Sequence, residues 1–134
     1  MEIMRFFTDI EQSKKLLSLG LRPETADMYF METAPNNFVP GICGRLEKDM
    51  LLNNAEYYKM TPAWTFTKLM QLMPMLNASE PRLDKTFFAS EPKQRYHIEY
   101  FPIHNTGDYA LPIDTAFEMI CYLIENNIII TNKK

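Results

Sequence analysis

The stretch LDKTFFASEPKQRYHIEYF, residues 83–101, decides the fold class. In its second half Tyr96, Ile98 and Tyr100 alternate with Arg95, His97 and Glu99, the period of two that a strand with one wet face requires. Its first half, LDKTFFAS, carries Thr86, Phe87 and Phe88, residue types that fit a pleated surface. Glu91, Pro92 and Lys93 fall between the two halves, where a reversal would join them as a hairpin. Helical patterns on both sides of this hairpin make the chain α+β.

Working outward toward the N-terminus, the segment TPAWTFTKLMQLMP holds the single tryptophan. Phe66, Leu69, Met70 and Met73 fall at i, i+3, i+4 and i+7, one face of a short helix. Thr65 is placed to cap it, and Trp64 and Leu69 then occupy the two positions of a hydrophobic staple. Pro74 ends the run, because the residue before a proline is pushed out of helical geometry. This pattern predicts a buried Trp64. A first helix is expected from Thr8, where Thr8-Asp9-Ile10-Glu11 matches a capping box, and Gly20 stands where a left-handed residue would end it. Ile10, Leu16, Leu17 and Leu19 form its apolar side, leaving Glu11, Lys14, Lys15 and Ser18 to water.

Toward the C-terminus, after a loop at PIHNTGDYALP, a last helix is expected over residues 112–126. Pro112 suits its first turn and Asp114 its positive dipole end, while Ala116, Phe117, Ile120, Cys121, Leu123 and Ile124 are its candidate core. Ile128, Ile129 and Ile130 read as a short final strand at the hairpin's edge. Between residues 21 and 60 periodicity fades. A brief turn after Pro23 and an extended DMYF are expected, then an irregular loop over about residues 31–58, with a short helix at LEKDMLLNN and a short strand at AEYYKM as options within it. The expectation is a single domain over residues 1–134: a short antiparallel sheet centred on the hairpin, covered by two main helices and braced by the Thr65 helix.

Composition limits the function classes. At 134 residues the chain is long enough to bury a core without a disulfide or metal staple, and nine Phe, seven Tyr and one Trp argue for a packed interior. A net charge of −3 supplies no general field for nucleic acid. The N-terminal segment carries Glu2, Asp9 and Glu11 in place of an uninterrupted apolar core, and no run reaches a membrane-spanning length, so a cytoplasmic location is expected. Cys43 and Cys121 are read as free thiols.

No nucleotide-binding glycine loop, H-E-x-x-H or G-x-S-x-G occurs. His97, Glu99 and His104 form an H-x-E with a second histidine downstream, but the P-C-x-x-C that completes a zinc deaminase site is missing, and a polar pair on a strand face is the simpler reading. Cys43 lies in a Pro/Gly loop with no base beside it in sequence, and Cys121 falls on an apolar helix face. No catalytic, metal or cofactor residue is therefore assigned, and no cofactor is expected.

Two nucleic-acid readings compete with a protein-binding one. Residues 9–30 have the outline of a helix-turn-helix, though Glu24 and Asp27 would face a phosphate backbone. The hairpin, residues 82–101, mixes Arg82, Lys85, Lys93 and Arg95 with aromatics, as a single-strand stacking platform would, but Glu80, Asp84, Glu91 and Glu99 dilute it. Against these stand abundant methionine and tyrosine, which favour adaptable partner surfaces, with Tyr29, Tyr57 and Tyr58 as candidate interface residues.

Three segments, EQSKKLLSLGLRPETADMYF, PAWTFTKLMQLMP and IDTAFEMICYLIENN, occur in an order and spacing that resembles small uncharacterised proteins of prophages and other mobile elements in gut Bacteroidetes. The resemblance covers both ends and the centre, leaving about residues 31–58 unmatched. It implies a phage or mobile-element accessory protein in the cytoplasm of an infected or lysogenic cell, and it carries over no catalytic residue; a non-catalytic role through an unknown protein partner is expected instead from the abundant aromatics and methionines and the absence of the catalytic motifs above.

Overall fold

The computed structural model describes residues 5–73, 82–86, 95–100, 104–107 and 109–129. These form helices α1 (Ile10–Ser18), α2 (Arg45–Tyr58), α3 (Phe66–Leu72) and α4 (Pro112–Glu125). The strands are β1 (Met28–Ala34), β2 (Asn37–Ile42), β3 (Met60–Ala63), β4 (Arg82–Thr86), β5 (Arg95–Tyr100) and β6 (His104–Asn105). The fold is α+β, with two antiparallel three-stranded sheets, ordered β2-β1-β3 and β4-β5-β6.

The hairpin expected from the alternating pattern is present as β4 and β5, paired from Arg82 opposite Glu99 to Thr86 opposite Arg95. The residues proposed to join them, 87–94, lie outside the described residues. Ile98 is fully buried, as the alternation requires, and Thr106 locks the far side of β5 by donating its N–H to Ile98 O at 2.9 Å and accepting the Ile98 N–H on Oγ1 at 2.8 Å. Part of the expected 102–112 loop is therefore sheet, namely β6 and a bridge in which Tyr96 and Tyr109 exchange two backbone hydrogen bonds.

The first sheet overturns the irregular loop expected over residues 31–58. Two prolines, two glycines and an Asn pair in METAPNNFVPGICG suggested broken structure, but Pro40 there, like Pro62 beyond it, stands where a strand tolerates it. Cys43 N–H donates to Asp27 O, which fixes the alternation of the β1–β2 ladder so that odd-numbered β2 residues bond β1 and even-numbered ones turn outward. Pro40, opposite Phe30, thus lacks an N–H that would have pointed away from the sheet. Glu32 N–H donates to Lys59 O on the other side of β1, and the same alternation turns Pro62 outward on β3. Pro35 and Asn36 make the reversal, with Asn36 at φ 62°, a left-handed conformation that asparagine adopts readily. Glu32 accepts the Asn36 N–H at 2.9 Å, and a register shift lies beside the turn between Glu32 and Ala34.

The helix expected at LEKDMLLNN continues to Tyr58, so AEYYKM is helix up to Tyr58 and strand only from Met60. A kink at Asn54 (φ −142°, ψ 37°) interrupts it, and Lys59 ends it in a left-handed conformation at φ 54°. The first helix starts one residue later than its sequence signature: Asp9 is the cap, accepting from Gln12 N at 2.7 Å while Gln12 Oε1 accepts from Asp9 N at 3.1 Å. Thr8 is instead fully buried, sharing a hydroxyl hydrogen bond with Ser13 at 2.8 Å. Gly20 ends α1 as expected, at φ 98°, with Gly20 N–H to Leu17 O and Leu21 N–H to Leu16 O closing a Schellman motif over two buried leucines.

The end of α4 repeats this motif with Asn127 in the glycine position at φ 59°. Its hydrogen bonds aim the N–H groups of both Ile128 and Ile129 at Leu123 O. Those two residues are consequently a helix terminator packed on the core and not the expected strand; Ile130 lies outside the described residues.

Trp64 is fully buried, as its staple position predicts, and Leu69 with it. Thr65 caps α3 by accepting from Lys68 N at 3.1 Å, and Met73 adopts ψ 122° ahead of Pro74, as its position requires. One apolar cluster joins Leu16 of α1, Leu51 of α2, Met60 of β3, Trp64, Leu69 of α3, Ile98 of β5 and Ile120 of α4. α4 contributes most, with Ile113, Ala116, Met119, Ile120 and Leu123 fully buried between α3 and β5, although Phe117 is only partly covered.

Candidate functional site

The first sheet has two occupied faces. Met28, Phe30 and Ala63 pack toward Phe7 and Ile10 on the α1 side, whereas Tyr29, Met31, Cys43 and Met60 face the cluster that holds Leu51 of α2. On the α1 side, beyond these contacts, lies an open groove of about 340 Å³ that also takes in residues at the end of α2. Its floor is a cross-strand series on one face, Phe38 of β2, Glu32 of β1 and Thr61 of β3.

Lys14 of α1 lines it and stands 5.8 Å from the Phe38 ring centre, where an ammonium is attracted to the ring face. Asn36, Ala55, Glu56, Lys59 and Met60 complete the lining. Three described residues other than glycine have positive φ, and two of them, Asn36 and Lys59, line this groove. Both owe that conformation to the ends of their elements, one to a strand reversal and one to a helix terminus. The groove thus carries two ammonium groups and two carboxylates around an aromatic floor, and it is too open to enclose a small molecule on most sides.

The aromatic residues singled out in the sequence separate here. Tyr57 is 80 % exposed and meets Tyr58 edge to face at 4.9 Å, between the groove residues Glu56 and Lys59 in the chain. Tyr29 is half-buried on the sheet face packed against the core, with its ring over Gly41: a Cβ there would lie 2.6 Å from Tyr29 Cζ. Of the three, Tyr57 and Tyr58 are the exposed ones. Other exposed apolar side chains are Ile42 and Val39 of β2 and Leu46 and Leu52 of α2.

The remaining candidates take structural places. His97 Nε2 and Glu99 Oε1 lie 3.1 Å apart on one face of β5. Among the described residues no three His, Cys, Asp or Glu side chains are grouped to hold a metal. Cys121 is buried on α4, where burial and then the Glu125 carboxylate push its thiol up to about 11. Cys43 is half-buried; burial raises its thiol too, with Lys48 pulling the other way. Residues 9–30 do not form a helix-turn-helix: Pro23–Thr25 is a single 3-10 turn and the chain enters β1 at Met28, so no second helix exists to read a groove. The 3-10 turn is held by Lys48 Nζ, which donates to Glu24 O and Ala26 O.

The groove was not legible in the sequence. Lys14, Glu32, Phe38, Glu56 and Lys59 come from four elements, and no spacing links them. Among the described residues no helix is long and apolar enough to cross a membrane. Comparisons with protein-family models, with curated proteins and with solved structures found no match.

Proposed function

We propose that this chain is a non-catalytic accessory module of a phage or other mobile element, acting in the cytoplasm by binding a protein partner through the Tyr57–Tyr58 edge of α2. The observation that carries the reading is the exposure of Tyr57. A large aromatic ring left 80 % in water, backed by a second ring, is the kind of anchor that dominates binding energy once a partner covers it. The open groove beside it adds a polar rim, as interfaces of this kind possess. The mobile-element origin is supported by the three ordered segments at residues 11–30, 62–74 and 113–127.

Photo-crosslinking tests it. A photoreactive amino acid in place of Tyr57, in full-length protein expressed in the bacterium of origin, is expected to trap one discrete protein. The same group in place of Glu125, exposed at the end of α4, is expected not to trap it. Equal labelling from both positions would overturn the reading, as would turnover of substrate by the purified protein in a hydrolase and nuclease screen. Salt-dependent retention of a single-stranded oligonucleotide would transfer the function to the 82–101 hairpin.

A further inference from the structure

The last turn of α2, residues 55–58, is bounded by two residues that leave helical geometry, Asn54 at φ −142° and ψ 37° before it and Lys59 at φ 54° after it. We propose that this turn is a hinged strap: it swings off the body of the protein as a unit, pivoting at Asn54 and Lys59, while the rest of α2 and both sheets stay folded. The inference goes beyond the protein-binding reading and does not need it, because it concerns the element that carries the Tyr57 and Tyr58 rings and not what covers them.

Four observations carry it. First, α2 contains neither proline nor glycine, so its break has none of the usual causes in its own sequence. The break is imposed from outside, by Leu51 before it and Met60 after it, both buried. The turn ahead of it is fastened separately, since Asn53 Nδ2 donates to Asp49 O at 3.1 Å and to Asp49 Oδ1 at 2.8 Å. Second, little holds the strap down. Of its four side chains only Ala55 packs against the core cluster, whereas Glu56, Tyr57 and Tyr58 are exposed, and a segment with few buried apolar contacts opens first. Third, the strap is not a free end that could fray. Lys59 O accepts the Glu32 N–H at 3.0 Å, and Met60 begins β3 directly after it. Rotation about the Lys59 N–Cα bond moves everything before it and leaves that carbonyl on the sheet. The Lys59 N–H, which donates to Ala55 O and Glu56 O, departs with the strap. Fourth, the closed setting holds Lys59 left-handed, where its Cβ crowds the following carbonyl, so release relieves a local cost. The strap carries Ala55 and Glu56 of the groove together with both rings. Whatever engages the rings in one setting therefore also sets the groove, by its differential affinity for the two.

Native-state hydrogen exchange of the purified full-length protein, followed by nuclear magnetic resonance in rising sub-denaturing urea, tests it. The Lys59 amide is expected to exchange with little dependence on urea, the mark of an opening that exposes little surface. The amides of Ile120 and Leu123 on α4, and that of Glu32, are expected to show the steep dependence of global unfolding. Lys59→Gly, which takes the left-handed conformation freely, is expected to raise protection at position 59 about threefold, and Lys59→Val to lower it about tenfold, both with the shallow urea dependence kept. Circular dichroism confirms that each variant is folded; if Lys59→Val is not, the opposite-signed change in Lys59→Gly decides alone. The proposal is overturned by equal, steep urea dependence at Lys59 and Ile120, by joint opening of the Lys59 and Glu32 amides, or by indifference of position 59 to the substitutions.

Discussion

The indole Nε1 of Trp64 donates a 2.9 Å hydrogen bond to Thr25 Oγ1, and that hydroxyl in turn donates to Arg22 O at 2.6 Å. The chain's only tryptophan therefore joins the start of α3 to the 3-10 turn that leads into β1. Its backbone makes a second joint, since Thr8 N–H donates to Trp64 O at 2.9 Å and Trp64 N–H donates to Thr8 Oγ1 at 3.1 Å. Trp64→Ala is expected to destabilise the fold by ~3 to 5 kcal/mol, from lost burial and the cavity left behind. Trp64→Phe keeps most of the burial and loses the donor, and about 1 kcal/mol is expected. Urea unfolding followed by far-ultraviolet circular dichroism measures both.

Asp27 is the second brace of α3. Its Oδ1 accepts from Thr65 N at 2.9 Å and its Oδ2 from Thr65 Oγ1 at 2.5 Å, so a carboxylate 38 residues upstream holds the capping residue in place. Asp27→Ala is expected to cost roughly 1 to 2 kcal/mol, within the range for loss of a helix cap. Asp27→Asn keeps an acceptor for the backbone N–H and is expected to recover part of it. Urea midpoints at constant m-value separate the two.

Gly41 and Tyr29 lie opposite each other in the β1–β2 ladder, with the ring filling the space that a Cβ would occupy. Gly41→Ala forces the Tyr29 ring off its seat and is expected to cost on the order of 1 kcal/mol. Combining it with Tyr29→Leu removes the clash, so the two changes are expected to be less than additive in a double-mutant cycle. Strict additivity would show that the ring is free to move aside.

Tyr109 gives the alkaline behaviour a sign. Its hydroxyl donates to Glu118 Oε1 at 2.7 Å, and this bond first, then burial, pushes its pKa from 10.0 up to about 12. The folded state thus holds the proton more tightly than the unfolded one. The resulting stabilisation is complete below pH 10.0 and is lost as pH rises toward about 12. Tyr109→Phe is expected to lower stability at neutral pH and to flatten the decline in that window; thermal melts between pH 8 and 12 read it.

The two thiols are expected to differ in rate. Cys121, buried on α4 with its pKa pushed up to about 11, should react with a disulfide reagent at pH 8 only as fast as the core opens. Cys43, half-buried at the end of β2, should react first. Stopped-flow labelling of Cys43→Ser and Cys121→Ser assigns the phases.

The sequence by itself determined the α+β class, the 82–101 strand pair, three of the helices, the Gly20 and Thr65 caps and the burial of Trp64. Each rests on a signal confined to a few residues: a period of two, a period of 3.6, a capping side chain, a proline. Only the tertiary structure decided the first sheet, the continuation of α2 to Tyr58 and the fate of Ile128 and Ile129. A proline is harmless in a strand when its missing N–H points out of the sheet, and whether Pro40 and Pro62 do so depends on their register against β1, which no local pattern contains. The same holds for the groove. Lys14, Glu32, Phe38 and Lys59 line one groove because α1, the β1–β2 pair and the end of α2 are brought together around the first sheet, and the meeting of residues so far apart in the chain is fixed by packing alone.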